Sequence, residues 1–159
     1  MSDLIEMAKH ATLGGRHYAL STFSHVPDEK LTWSPAPSAK SALRIAAHIG
    51  LSNDRLANVL QGRMPPPGLS FEELSERGNA QEMEITSREM AVKLIEDSTE
   101  RYIAALDTLT ADHLAGETQT PFGRFPTSAF IFICGQHMRS HAAQIDYLET
   151  VWGDLQDHF

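Results

Sequence analysis

The sequence predicts an all-α protein, a four-helix bundle with long connecting loops. Three observations predict it. Four segments of roughly twenty residues carry apolar side chains at spacings of three and four, the period of a helix with one buried face. Stretches rich in Pro and Gly separate these segments and cannot stay helical. No segment alternates as a strand does, and no internal repeat is visible.

The first helix is expected from Met1 to about His25, where Val26-Pro27-Asp28 stops it. Gly14-Gly15 weakens its middle by ~1 kcal/mol per Gly relative to Ala, so the pair marks a kink or a close helix contact. Residues 28–38 hold two prolines and read as an ordered loop. The second helix is expected from Ser38, a plausible N-cap, to about Gly62, with Ile45, Ile49, Leu56, Val59 and Leu60 on one stripe. Met64-Pro65-Pro66-Pro67-Gly68 ends it. Residues 69–85 read as a long connection with a short helical turn around Phe71-Glu72-Glu73-Leu74. Thr86-Ser87-Arg88-Glu89 has the pattern of a capping box and opens the third helix, which runs to about Leu109 with Ile95, Tyr102, Leu106 and Leu109 inward. Residues 110–126 read as another loop. The last helix is expected from about Thr127 to Trp152, with Gly153 just past its end.

The chain has 159 residues, a length suited to one domain spanning 1–159 and to a core that needs no disulfide. Thirteen Lys+Arg against 21 Asp+Glu give a net charge of −8, which argues against a nucleic-acid partner and against an anionic membrane surface. The longest apolar run, Ala129 to Cys134, is far short of the ~20 residues that span a bilayer. Cys134 is the single cysteine, and the first residues lack a basic-then-apolar stretch. Both fit a cytoplasmic protein. A small-molecule substrate is the partner expected, and a homodimer stays open.

Three of the eight histidines carry the functional signal. His137 and His141 are four apart on the last helix, so their side chains stack on one face, one turn apart, and can chelate a single metal ion. Their stripe is also the apolar one: Phe130, Ile133, Cys134, Gln144, Ile145, Leu148 and Trp152 share it. His48 occupies a similar place on the second helix, beside Ile45, Ile49, Ser52 and Leu56. If the helices pair, three neutral imidazoles bind one divalent ion and leave a coordination position open. Zn²⁺, Ni²⁺ and Fe²⁺ all suit such a site. Burying three imidazoles costs desolvation unless each finds a partner, and a shared ion supplies one for all. Hydrogen-bonded core histidines are the competing reading of the same spacing.

Other residues rank lower. Cys134 lies one turn before His137 but reads as packing. His10 and His17 fit an amphipathic surface, and His113 and His158 read as solvated. Arg44 reads either as a neutraliser of an anionic substrate or as half of a surface ion pair. Asn53, Asp54 and Gln144 are candidates to orient the histidines through hydrogen bonds. Asp146 lies off the stripe. Trp33 is expected to anchor its loop against the bundle.

Leu31-Thr32-Trp33-Ser34-Pro35-Ala36-Pro37, followed by the run from Ser41 to Ile49, resembles the W-x-P loop and following helix of the DinB-like family. Thr120-Pro121-Phe122-Gly123, followed by His137-x3-His141-Ala142-Ala143-Gln144-Ile145-Asp146-Tyr147-Leu148, is similar to that family's closing loop and histidine helix. The resemblance implies a four-helix bundle of the DinB/YfiT type with a divalent metal at His48, His137 and His141. It also implies kinship with S-transferases and isomerases that use low-molecular-weight thiols such as bacillithiol or mycothiol. The function expected is therefore that of a metal-dependent enzyme, a thiol S-transferase or a hydrolase, with a low-molecular-weight thiol as the candidate cosubstrate. No Asp or Glu is marked by motif as general base, and Met138 after His137 breaks the H-E-x-x-H pattern. A non-catalytic metal-binding protein of the stress response is the alternative.

Overall fold

The computed structural model describes residues 2–66, 68–156 and 158; the expected helix start at Met1 and the stop at Pro67 lie outside them. The elements in chain order are α1 (Ser2–His25), α2 (Ala42–Leu60), α3 (Phe71–Met83), α4 (Arg88–Asp107), α5 (Ala111–Ala115), β1 (Glu117–Thr120), β2 (Gly123–Pro126), α6 (Thr127–Phe130) and α7 (Ile133–Trp152). The four long helices α1, α2, α4 and α7 form the bundle. Helix α2 packs against α4 and α7, and α1 packs against the same two from the opposite side. Helices α1 and α2, consecutive in the chain, therefore sit diagonally, as do α4 and α7. The α1–α2 and α4–α7 connections must therefore cross a bundle end, which is why they exceed the few residues of a minimal up-down bundle, whereas the α2–α4 connection joins neighbours and is long because it holds α3.

Two close crossings set the bundle. At the α1/α7 crossing Gly15 faces Gly135, and a Cβ at Gly15 would lie 2.6 Å from the Gly135 carbonyl oxygen. The Gly14-Gly15 pair thus marks a close contact rather than a kink, since α1 is continuous through it. At the α2/α4 crossing Gly50 accommodates Leu94. Tyr102, fully buried, donates its hydroxyl to the Ile131 carbonyl at 3.0 Å. That carbonyl lies at the short break between α6 and α7. The last helix thus does not run unbroken from Thr127 as the periodicity predicts. Arg88, the first residue of α4, donates to the Phe23 carbonyl at 2.7 Å and to the Val26 carbonyl, and pairs with Asp28 at 2.9 Å. It thereby satisfies carbonyls at the C-terminal end of α1. Gly153, at φ 100°, ends α7 in the left-handed conformation as its place in the sequence predicts.

Several local expectations are corrected. The N-cap of α2 is Ser41 rather than Ser38: its hydroxyl accepts from the Arg44 amide at 3.3 Å. Residues 28–41 stay outside α2, and the free first-turn amide of Leu43 bonds back to the Leu31 carbonyl at 2.9 Å. The α4 cap is Ser87, accepting from the Met90 amide at 3.2 Å, and not Thr86, whose hydroxyl contacts the Met90 sulfur instead. The connection at 69–85 holds a thirteen-residue helix, α3, rather than a turn. A polar surface hid it, since only Gly78 and Glu82 of α3 are buried. Its signal was the capping box at Ser70 and Glu73, which the structure realises in both directions. Finally, β1 and β2 pair as a short antiparallel hairpin where no strand was expected. Its inward residues are Thr118 and Thr120, not apolar ones, so no hydrophobic alternation marks it. Thr118 and Thr127 share a hydroxyl–hydroxyl hydrogen bond of 2.9 Å that fixes the hairpin to α6.

Glu149 on α7 is 1% exposed, and neither carboxylate oxygen has a hydrogen-bond partner among the described residues. Burial, with help from Asp154 and Asp146, pushes its pKa from 4.5 up to about 7, against the opposing pull of His158 and His25. Between those values the folded state holds a proton that the unfolded chain releases. Its stabilising contribution is therefore complete below about pH 4.5 and lost as pH rises through about 7. Thermal melts of the wild type and Glu149→Gln, run from pH 4.5 to 8, should diverge by up to about 3 kcal/mol at the basic end, in the variant's favour. A pH-independent gap would refute the assignment.

Candidate metal centre

His48 on α2 faces His137 and His141 on α7. Ring centroids lie 5.3 Å apart for His48–His137, 4.6 Å for His48–His141 and 4.4 Å for His137–His141. One nitrogen from each ring falls within 4.8 Å of the other two. All three rings are half-buried. The adjacency of α2 and α7, which sequence could not supply, brings the separated histidine to the pair.

Each imidazole is held differently. His48 Nδ1 lies 2.9 Å from Glu82 Oε1. Glu82 comes from α3 and is 2% exposed. It also accepts from Lys40 Nζ at 2.5 Å and from an Arg44 guanidinium nitrogen at 3.1 Å. Burial alone would raise its pKa, but hydrogen bonds from His48 and Lys40 outweigh that and hold it at about 2. An ionised carboxylate only accepts, so the proton sits on His48 Nδ1 and leaves Nε2 as an acceptor; the Ser52 hydroxyl is 3.4 Å from that atom. His141 Nδ1 donates to Gln144 Oε1 at 2.8 Å, which likewise leaves Nε2 free.

His137 is the deepest of the three. Burial, then the charges of His141, His48 and Arg55, lower its pKa to about 3, so the ring is neutral at pH 7. Burial also lowers that of His141, against the opposing bond to Gln144. Neutral imidazole is the metal-binding form. The buried Nδ1 of His137 has no hydrogen-bond partner among the described residues. Such an orphan costs on the order of 1–3 kcal/mol. The donor set fits a divalent ion: converging imidazoles, two with a proton directed outward to a partner and one with an unsatisfied buried nitrogen.

Of the orienting candidates, Gln144 alone touches the cluster. Asp54 forms a two-bonded ion pair with Arg101, at 2.6 and 3.0 Å. Asn53 is the centre of a buried polar knot: it donates to Ser98 at 3.4 Å and accepts from the Cys134 thiol at 3.3 Å. Burial raises the pKa of that thiol, which makes Cys134 a packing residue, as expected. Arg44 pairs with Glu82 and Asn79. Trp33 packs edge-on against Trp152, with centroids 5.6 Å apart. His10 and His17 are exposed. His113 is exposed but takes part in the α5 cap through the Thr110 amide. His158 is not solvated: its ring stacks on His25 at 4.0 Å and bonds Asp154 at 3.0 Å. On α7, Ile133 and Gln144 lie outside the buried stripe, which runs through Cys134, Met138, Ala142 and Ile145 instead. Glu82 and Lys40 escaped the sequence reading altogether. Glu82 lies on a helix without an apolar stripe, and Lys40 lies in a loop.

Among the described residues, no helix is long and apolar enough to cross a membrane. A diagonal bundle with three histidines converging from α2 and α7 defines a DinB-like helical protein with a cluster positioned for metal coordination. The chain belongs to the DinB superfamily, whose profile matches residues 11–145. Solved structures share the fold. A mycothiol-dependent maleylpyruvate isomerase aligns with a TM-score of 0.71 at 18% identity, covering 89% of this chain and 60% of the isomerase. This chain thus spans under two thirds of that enzyme. A DinB-like protein from Bacillus subtilis, YjoA, aligns at 0.66 and 18% identity over 96% of each chain. The sibling lethal factor precursor DfsB aligns at 0.72 and 16% identity, over 94% of this chain and 97% of its own. A search of curated proteins with this sequence gives no match.

Proposed function

We propose that His48, His137 and His141 hold one divalent ion and that the protein is a metal-dependent thiol transferase acting on a small electrophilic molecule. The convergence of three imidazoles carries this reading, because three protein donors leave a position for an exogenous ligand. Zn²⁺, Ni²⁺ and Fe²⁺ all suit the donors. The ion would supply Lewis acidity and favour the thiolate form of a bound low-molecular-weight thiol. Thiol transfer is preferred to hydrolysis because Glu82, the carboxylate that hydrogen-bonds the cluster, is engaged by two cations and an imidazole and has no basicity left near pH 7. The structural kinship with a mycothiol-dependent isomerase supports the same choice. A cytoplasmic location suits the reading, since such thiols stay reduced there.

The absence of an uncommitted acid or base hydrogen-bonded to the cluster, among the described residues, favours one second reading: a non-catalytic metal-binding protein. Stripping the ion, reloading Zn²⁺, Ni²⁺ or Fe²⁺, and assaying an electrophile panel with and without thiol separates the two. We expect a folded apo-protein and turnover that needs both metal and thiol. An inert metal-loaded protein would support the second reading. Complete unfolding on stripping would make the metal a structural staple.

A further inference from the structure

Helix α3 is attached to the bundle in an unusual way. Its buried residues are Gly78 and Glu82, so it contributes no apolar side chain to the fully buried core. What holds it on α2 and the preceding loop is polar. Glu82 receives His48, Lys40 and Arg44; Arg44 also reaches Asn79 at 3.3 Å; Arg55 bonds Gln81 at 3.0 Å. Gly78 lets that contact close, since a Cβ there would lie 3.0 Å from the Arg55 guanidinium. The one fully buried charge on α3 thus ends on a histidine of the metal centre.

We infer that Glu82 is a positioning residue of that centre, and that docking of α3 and capture of the ion are coupled through the Glu82–His48 hydrogen bond. This rests on the metal-binding reading above. Glu82 keeps the His48 proton on Nδ1, so Nε2 is available to an ion without a tautomer change. An ion on the ring makes its remaining N–H a stronger donor, which tightens the bond to Glu82 and holds α3 down. Linkage makes the effect reciprocal: a docked α3 raises metal affinity by the factor by which metal favours docking. With its carboxylate removed, α3 keeps the Arg44 and Arg55 contacts, whose side chains are at least partly exposed, and the edge-on ring contact of Phe71 with Phe122.

The test measures Zn²⁺ affinity by chelator competition and hydrogen exchange of the α3 amides, for the wild type, Glu82→Gln, Glu82→Ala and His137→Ala. Loss of such an outer partner weakens metal binding roughly 10–100-fold, and this is expected for Glu82→Ala. Glu82→Gln, nearly isosteric and still an acceptor, should fall between that variant and the wild type. Zinc should slow α3 exchange in the wild type and leave it unchanged in Glu82→Ala. His137→Ala should lose the zinc response yet keep the apo wild-type exchange rate in α3, because its His48–Glu82 bond is intact. A merely structural Glu82 would loosen α3 without changing zinc affinity, and that result overturns the inference. So does α3 exchange in the wild type that ignores zinc. If the wild type takes up no zinc, nickel or iron, the metal reading itself falls and the inference falls with it. If it binds zinc and the Glu82 variants bind as tightly, the inference alone fails.

Discussion

His137→Ala will empty the metal centre while leaving the helices in place. The side chain is one of two donors that α7 presents one turn apart, and the deepest of the three rings. With it gone, a two-histidine remnant from two helices must bind the ion. The loss of affinity should exceed the roughly 10–100-fold typical of losing only an outer hydrogen-bond partner. Metal analysis of protein purified with one equivalent of Zn²⁺ or Ni²⁺ should show occupancy near one per chain for the wild type and close to none for the variant. Far-UV circular dichroism should be unchanged. The substitution removes a buried nitrogen that has no hydrogen-bond partner among the described residues, and the core proper lies around Ile49, Ile95, Tyr102 and Ile145. The variant should also lose the rise in melting temperature that metal gives the wild type, since an ion that binds only the folded state stabilises it. Undiminished metal at this site in the variant would sink the ligand assignment.

Gly135→Ala should be the most damaging single methyl in the molecule. Two effects compete. Alanine is the better helix former by ~1 kcal/mol. Its Cβ, however, would drive into the Ala11 carbonyl and lie 3.1 Å from the Thr12 amide, and these are backbone atoms of α1 that cannot rotate away. Separating two packed helices to admit a methyl falls at the upper end of the overpacking range, about 3 kcal/mol, so the clash wins. At about 2–4 °C per kcal/mol for a chain of this size, the melting temperature should fall by roughly 4–8 °C after the propensity gain is offset. Gly14→Ala is the internal control. It lies on α1, across the same α1/α7 crossing, and its Cβ would meet only the flexible end of Arg139, at 2.9 Å. It should be neutral or stabilising by up to ~1 kcal/mol. Equal effects of the two substitutions would show that the α1/α7 crossing is not the tight contact described.

The elements that sequence reveals best are those with a buried apolar face. The interior positions predicted for the third helix are all buried, Leu109 just past the end of α4, and α1 and α4 end within two residues of expectation. What it misses are elements whose inward residues are polar. In α3 the inward residues are a glycine and a glutamate, and in the hairpin they are threonines. Caps shift by one to three residues, because several hydroxyls precede each helix and only the folded loop decides which of them meets a free amide.

By itself the sequence determined that four segments must be amphipathic helices and that His137 and His141 share one face of one of them, because helical period follows from local spacing alone. Only the tertiary structure decided that α2 lies beside α7, so that His48 completes the cluster. It also decided that Glu82, thirty-four residues further along the chain, holds the His48 proton outward. Both depend on which helices cross and how closely. Those crossings are set by the glycine contacts and by summed burial over the whole bundle, quantities that no window of the chain contains.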